Sequence, residues 1–331
     1  MRKLLTVMLA LLLSVSVSGF AACGKDEGGK FTFYAPDGAP ALAIAKFIKE
    51  NENFGEEFEF SYSVVSSDKI GGIMQKGTGD FIIMPVNAAS KLYKADADNP
   101  YKMVSVLTHG NLYVMSKGEN TIESLKGKVV GVIGQGLVPD LTFKYVLKKA
   151  GIEYVVSDSA ENDKVALRYF ASASDLIPML IKQGEITTGL LPEPAATKLT
   201  SMDSSYSVRI DLQSAYDAEK QAYPQAVLMV KSSVLEKNPN LTDKIEKAFK
   251  DVSHWLYENY LQAAEAVAGA LAEGVTPSLT EDNLNADVID NCKIYWQSAA
   301  DAKNDVTAYI NAIREIGESA ANAVTDEFFA K

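Results

Sequence analysis

The chain is poor in cysteine and histidine and has no long apolar run beyond its N-terminus, and each shortage removes a class of explanation. Cys23 and Cys292 are the only cysteines in 331 residues, too few for a disulfide framework, so a large apolar core has to supply stability. The two histidines, His109 and His254, lie far apart, which gives no zinc-type cluster; no metal and no cofactor is expected. Positive charge is also short. The net charge is −11, and loss of Arg2 and Lys3 with a leader takes it to −13. That balance argues against nucleic acid, whose partners carry basic faces, and suits a soluble monomer.

What is present begins at the N-terminus. Arg2 and Lys3 precede an almost wholly apolar stretch from Leu4 to Val17, then small residues and Phe20-Ala21-Ala22-Cys23-Gly24. This order predicts a secretory signal peptide over 1–22. At roughly 14 residues the apolar run falls short of the ~20 that a membrane-spanning helix needs. Cys23 after two alanines resembles the lipobox of bacterial lipoproteins, with Phe20 departing from the usual leucine-like residue. The resemblance implies lipidation of Cys23 and anchoring to the outer face of the cytoplasmic membrane, or to the periplasmic side in a Gram-negative envelope. Residues 23–30, polar and glycine-rich, read as a flexible tether.

The rest of the chain repeats itself. Residues 67–92 and 174–199 align without a gap at an offset of 107, with nine identities in 26 positions, including Pro85/Pro192 and Ala88/Ala195. Chance would give about one or two. The same offset pairs the apolar segments 58–63 and 165–170. Further upstream, residues 31–38 and 129–136 share a pattern of apolar strand and glycine turn, each followed by a helical period beginning near a proline. Ser66 or Ser67 and Ser174 are candidate helix N-caps, Pro178 falls in a first helical turn, and Gly77 and Gly184 are candidate helix stops.

Alternating strands and helices predict an α/β fold: two lobes, each a mostly parallel sheet flanked by helices. Residues 103–116 read as an extended crossover and 224–230 as the return. The second lobe, 113–225, is therefore inserted into the first, 31–112 and 226–331. Residues 241–273 and 285–320 read as long helical patterns that pack back on the first lobe, with Trp255 and Trp296 as packing residues and Cys292 as a buried small hydrophobe.

In such sheets ligands bind beyond the carboxyl ends of the strands, where helix N-termini expose N–H groups. Four turns recur at these places: Pro36 to Pro40, Pro85 to Asn87, Gln135 to Pro139, and Pro192 to Pro194. The segments PDGAPALAIAKFI, MPVNAASKLY, LKGKVVGVIGQGLVPDLTFKYVLKKAGI, LLPEPAATKL and NPNLTDKIEKAF, in this order, resemble the substrate-binding proteins of nitrate/sulfonate/taurine-type ABC importers. That superfamily includes binders of the thiamine pyrimidine precursor. The resemblance implies a type II periplasmic-binding fold, flytrap closure, a permease partner and delivery of a small organic molecule. It also implies cleft contacts at Pro36, Asp37, Gly38, Ala39, Ser66, Pro85, Val86, Asn87, Gln135, Gly136, Leu137, Val138, Glu193 and Tyr223.

Several of these residues carry a second reading. Glu193 either meets a ligand amine or complements its helix dipole. Asp37 before Gly38 contacts ligand or makes a turn, and Asn87 and Ser66 contact ligand or cap helices. Tyr34 and Tyr223 either sandwich a flat ring or form core edge. His109 is a hinge reporter or a solvated loop residue. None of the four turns holds Arg or Lys, which favours a neutral or amine-bearing ligand such as a pyrimidine; a single carboxylate or sulfonate on helix N-termini is the alternative. No catalytic residue is recognised in the turns. The rival functions are a cleft enzyme of the pyrimidine-synthesis or desulfination type, and a ligand-sensing lipoprotein read by a membrane receptor.

Overall fold

The computed structural model describes residues 25–93, 97, 100–118, 121–182 and 186–331. The signal segment, Cys23 and Gly184 lie outside the described residues. The chain opens with β1 (Gly29–Pro36), α1 (Ala39–Leu42), α2 (Ala45–Glu50), β2 (Phe58–Val65), α3 (Ile70–Lys76), β3 (Phe81–Pro85), α4 (Val86–Leu92) and β4 (Tyr101–Thr108). After residues 109–111 come β5 (Leu112–Ser116), β6 (Val129–Ile133), α5 (Val138–Lys149), β7 (Tyr154–Val156), β8 (Val165–Phe170), α6 (Ala173–Ile181), β9 (Thr188–Pro192), α7 (Ala195–Met202), β10 (Val208–Asp211) and α8 (Leu212–Tyr216). The last part holds β11 (Ala226–Lys231), α9 (Ser232–Lys237), α10 (Leu241–Phe249), α11 (Val252–Glu258), α12 (Tyr260–Gly269), α13 (Ala286–Asn291), β12 (Ile294–Ser298) and α14 (Ala299–Arg314).

These strands form two six-stranded sheets, ordered β12-β4-β11-β3-β1-β2 and β10-β5-β9-β6-β8-β7. Within each strand–helix unit the pairing is parallel: β1 with β2 and β3, β6 with β8 and β9, and β7 with β8. The strands that carry the chain between lobes pair antiparallel, so the sheets are mixed rather than mostly parallel. Direction of travel explains this. β4 runs toward the gap between the lobes and leaves through residues 109–111, whereas β5 and β11 enter their sheets from the gap and must run the opposite way to their neighbours. The carboxyl ends of β1, β2, β3, β6, β8 and β9 all point at this gap.

The internal repeat is visible in the elements. β3 and β9 occupy the same five positions at an offset of 107. Gly77, at φ +63°, ends α3 in the left-handed conformation that a residue without Cβ adopts at little cost. In the second lobe the helix starts earlier than its sequence suggested. Ser172, not Ser174, caps α6 by accepting from the Asp175 N–H at 3.2 Å, so Pro178 lies inside the helix rather than in its first turn. Neither Ser66 nor Ser67 caps α3, whose N-cap is Lys69.

Two further expectations are corrected. Residues 285–320 do not form one helical stretch. Ile294, Tyr295 and Trp296 are strand formers, and β12 adds them antiparallel to the edge of the first sheet, so Trp296 is a strand residue. The described part of the tether is not free either. Asp26 is buried, accepts the Asn240 N–H at 2.9 Å and pairs with Lys244 at 2.8 Å; the N–H of Glu27 donates to the Lys237 carbonyl and that of Gly28 to Asn238 Oδ1. Short polar contacts to α9 and α10 thus hold a segment that composition alone assigns to linker.

Each sheet carries helices on both faces. On one face of the first sheet an aromatic cluster packs Phe31, Phe33, Phe60 and Phe81 against α2, α10, α11 and α12, with Phe60 and Phe81 rings 5.2 Å apart. On the other face α14 presents Ala302, Val306, Tyr309, Ile310 and Ile313 along one helical stripe. That stripe joins Val86, Ala89, Met103 and Val106 of the first lobe to Val138, Leu141 and Phe143 of the second in one continuous apolar cluster. At its centre the Tyr309 hydroxyl meets Thr142 Oγ1 at 2.6 Å.

Candidate ligand cleft

The gap between the lobes is built where the strands end. On the first lobe, Tyr34 and Pro36 finish β1, with Tyr34 half-buried; Asp37 and Gly38 form the turn and Ala39 starts α1. Ser66 follows β2, and Pro85, Val86 and Asn87 carry β3 into α4. On the second lobe, Gln135 and Gly136 are exposed on the turn after β6, Leu137 caps α5 and Val138 starts it. Glu193 lies between β9 and α7.

The structure brings two of these turns into direct contact. Asn87 does not cap its helix. Its Nδ2 donates across the gap to the Gly136 carbonyl at 3.1 Å and to the Ala320 carbonyl at 3.2 Å. Two carbonyl partners fix the orientation of the amide, because only nitrogen can donate to both. Asn87 Oδ1 therefore faces the other way, and it has no hydrogen-bond partner among the described residues although Asn87 is 1% exposed.

The charged members of the turns are satisfied from within. Asp37 Oδ1 accepts the Gly38 N–H at 2.9 Å and its Oδ2 accepts the Ser278 N–H at 2.7 Å. Ser66 donates to Asp68 Oδ1 at 2.5 Å. Glu193 is buried; its Oε2 accepts the Thr197 N–H at 3.0 Å, its Oε1 accepts from Thr197 Oγ1 at 3.0 Å, and Arg209 from β10 pairs with the same oxygen. Asp140, which the sequence did not single out, is also buried. It accepts the Gly136 N–H at 2.8 Å, pairs with Lys144 at 3.0 Å and accepts from the Tyr169 hydroxyl at 2.7 Å. The turns themselves lack cations, but Arg209 and Lys144 reach them from neighbouring elements.

A set of amides lines the hinge, and these too were missed. The Glu193 carbonyl accepts from Asn111 Nδ2 at 3.1 Å, and Asn111 Oδ1 accepts from Gln225 Nε2 at 2.8 Å, which leaves Gln225 Oε1 buried without a partner among the described residues. Gln213 Oε1 accepts the Leu112 N–H at 2.9 Å, which leaves its Nε2 in the same condition. Each chain of bonds starts at a backbone group, so the donor and acceptor ends follow from the backbone. Gly110, at φ +93°, allows this crowding: a Cβ there would lie 2.7 Å from Gln213 Cγ and 2.9 Å from Tyr223 Cε1. The signal that would have found them is three amide side chains close to predicted crossover points.

Tyr223 packs as a core-edge residue. It is buried and stacks on Tyr309 with centroids 5.5 Å apart and planes 8° apart, and Tyr216 packs on its edge. A cavity of about 340 Å³ lies beside the hinge, lined by His109, Tyr216, Asp217, Lys220, Tyr223, Tyr295 and Asp305 among others. Of the candidate cleft residues it includes only Tyr223.

His109 is not a solvated loop residue. It is 2% exposed and stacks flat on Tyr295, with centroids 3.5 Å apart, and its ring nitrogens lie 3.3 Å from the Lys293 carbonyl and from Gln297 Oε1. Burial pulls its pKa from 6.5 down to about 4, against the opposing pull of the two acceptors. Between those values the unfolded chain binds a proton that the folded one does not. Stability therefore falls as pH drops from 6.5 to 4, by about 3 kcal/mol in all from this group. The stability advantage of the native protein over His109→Gln, followed by urea unfolding, should shrink by that amount between pH 7 and pH 4; an advantage independent of pH would contradict it.

Comparison with solved structures bears on this geometry. An ABC transporter structure from Parabacteroides distasonis superimposes with a TM-score of 0.73 at 21% identity, over 92% of this chain and 99% of that one. An alkanesulfonate-binding protein from Xanthomonas axonopodis pv. citri, bound to MOPS, gives 0.55 at 12% identity over 90% and 99%. A Candida albicans protein that exhibits the generic periplasmic binding protein fold gives 0.54 at 10% identity over 91% and 93%. The chain has the two-lobed type II periplasmic-binding fold. No protein-family model matches the sequence, and no curated protein matches it.

Proposed function

We propose that this chain is the solute-capturing component of an ABC importer, holding a small organic molecule between its lobes and presenting it to a permease. The observation that carries the reading is the gap itself. Two lobes with the same strand–turn–helix plan aim their strand ends at one space, and Asn87 reaches from one lobe to the Gly136 carbonyl of the other. A solute that touches the turns of both lobes binds the closed form better than the open one and so favours closure. Amides bind neutral groups and transfer no protons near neutral pH, which favours capture over conversion. The likeness to the Parabacteroides distasonis transporter structure supports the same role.

The finer features belong to the same proposal. The solute binder is of the nitrate/sulfonate/taurine type, the second lobe spans 113–225, and Cys23 carries the lipid anchor. With Asp26 docked on the first lobe, the span from Cys23 to Asp26 reaches at most about 10 Å, which holds that lobe close to the bilayer. Cys23→Ala should move the protein from the membrane fraction to the medium or periplasm; unchanged fractionation would contradict anchoring at this residue. Capture itself is tested by native mass spectrometry of the purified protein. The expected result is a one-to-one small-molecule adduct that is lost on unfolding and regained from a cell extract. Absence of any adduct before and after exposure to the extract would defeat it.

A further inference from the structure

We infer that the cavity beside the hinge is a second ligand site, for a small organic cation: an ammonium group on an apolar body. The inference does not rest on the capture reading, and either can fail while the other stands.

Shape and walls come first. The cavity holds about 340 Å³, within the ~300–1,000 Å³ of ordinary ligand pockets. Several parts of the chain build it. His109 follows β4, Tyr216, Asp217, Lys220 and Tyr223 run from α8 toward β11, Tyr295 and Gln297 belong to β12, and Asp305 belongs to α14. Two ring pairs give it apolar wall: Tyr295 stacked on His109, and Tyr216 against Tyr223. Tyrosine ring faces also attract cations.

Charge points to the same class of ligand. Among the described lining residues two carboxylates, Asp217 and Asp305, stand against one ammonium, Lys220, which pairs with Asp305. The hydrogen bond to Asp305, and then the charges of Asp305 and Asp217, hold the Lys220 pKa above its ordinary value against a smaller pull from burial. The chain thus already seats one ammonium of its own at this cavity, and the lining stays negative after that pairing.

A missing proton in the same wall calls for a donor. The Lys293 carbonyl, His109, Gln297 and Asp305 form a chain with contacts of 3.3, 3.3 and 3.4 Å. Its two ends, a carbonyl and a carboxylate, only accept. His109, with a pKa of about 4, is neutral near neutral pH and carries a single N–H. If that proton goes to the Lys293 carbonyl, Gln297 has to turn its NH2 to the ring, and its oxygen then meets the Asp305 carboxylate. If the proton goes to Gln297, the other ring nitrogen meets the Lys293 carbonyl with no proton between them. Either way one junction lacks a donor. An ammonium in the cavity supplies it by bridging the Gln297 oxygen and the Asp305 carboxylate, while its apolar body lies on the rings. A neutral donor would complete the chain but leave the excess negative charge unmatched, so a cation binds better.

Benzylammonium is the probe, with benzyl alcohol and phenylacetate as neutral and anionic controls of similar size. Calorimetry and saturation-transfer NMR on the native protein at neutral pH should show one-to-one millimolar binding of benzylammonium, with both controls weaker by about tenfold or more. Lys220→Ala removes the internal ammonium and should tighten benzylammonium by about tenfold. Asp305→Asn should abolish binding in the native and the Lys220→Ala backgrounds, because the new amide completes the chain and the charge is gone. Lys220 and Asp305 are partly exposed, so these variants are expected to fold. Should Asp305→Asn fail to do so, the Tyr295 ring resonances of the native protein, assigned by Tyr295→Phe, should shift on titration with benzylammonium and not with phenylacetate. No saturable binding by the native and Lys220→Ala proteins would overturn the inference. So would equal binding of benzyl alcohol, binding unchanged by Asp305→Asn, or Tyr295 resonances that do not move.

Discussion

Replacing Arg209 by leucine is expected to destabilise the protein by about 3–5 kcal/mol, the usual cost of removing one partner from a buried ion pair. The Glu193 side chain is 0% exposed and that of Arg209 26%, so water cannot take over the lost contact. Arg209 also donates to Thr197 Oγ1 at 3.0 Å and lies over the Tyr113 ring at 5.5 Å, so the start of α7 loosens with it. Most of the loss should be recovered in the double variant with Glu193→Gln, because the neutral amide needs no counter-ion. Urea unfolding of the single and double variants checks this. A loss under about 1 kcal/mol for Arg209→Leu would mean that Thr197 and Asn291 suffice to hold Glu193 and that the ion pair counts for no more than an ordinary exposed one.

The second large effect lies at the seam between the lobes. Tyr309→Ala removes a fully buried ring that stacks on Tyr223 and touches Thr142, and should cost about 3–5 kcal/mol. Tyr309→Phe keeps the stacking and leaves Thr142 Oγ1 unpaired, at about 1–2 kcal/mol. The two variants separate packing from hydrogen bonding. Because α14 packs on both lobes, the alanine variant is also expected to widen the distribution of lobe orientations in small-angle scattering. Melting temperatures equal to the native value would show that α14 does not tie the lobes together.

Much of the scaffold was legible because it is written twice. A constant offset of 107 carries β2 onto β8 and β3 onto β9, and such a repeat survives only where each copy builds the same strand–helix unit. The elements that were missed have no second copy. β12 hides in a polar, alanine-rich region, and only its pairing with β4 reveals that Ile294 to Ser298 is extended. Residues 26–30 look like linker because aspartate and glycine are common in linkers; the partners that order them, Asn238, Asn240 and Lys244, are more than 200 residues away.

The turns of the candidate site were legible in the same way, since prolines and glycines mark the places where strands end. Their chemistry was not. Asp37 does make a turn, and Glu193 does serve its own helix, but the cation beside Glu193 comes from β10, a short Val-Arg-Ile-Asp strand with no sequence link to that turn. Asn111, Gln213 and Gln225 are ordinary polar residues until the crossovers bring them together. Tyr223, left open in the sequence between ring stacking and core edge, stacks on Tyr309 of α14.

The central claim is that the two lobes close on a solute held between them. It is tested most directly by the distance between spin labels placed on Glu56 of the first lobe and Glu161 of the second, both exposed, with the buried Cys292 left in place. Pulsed electron resonance should give a broad, long distribution for protein stripped of small molecules by unfolding and refolding, and a narrower, shorter one after re-exposure to the extract. Superimposable distributions in the two states would show that the lobes do not close on anything.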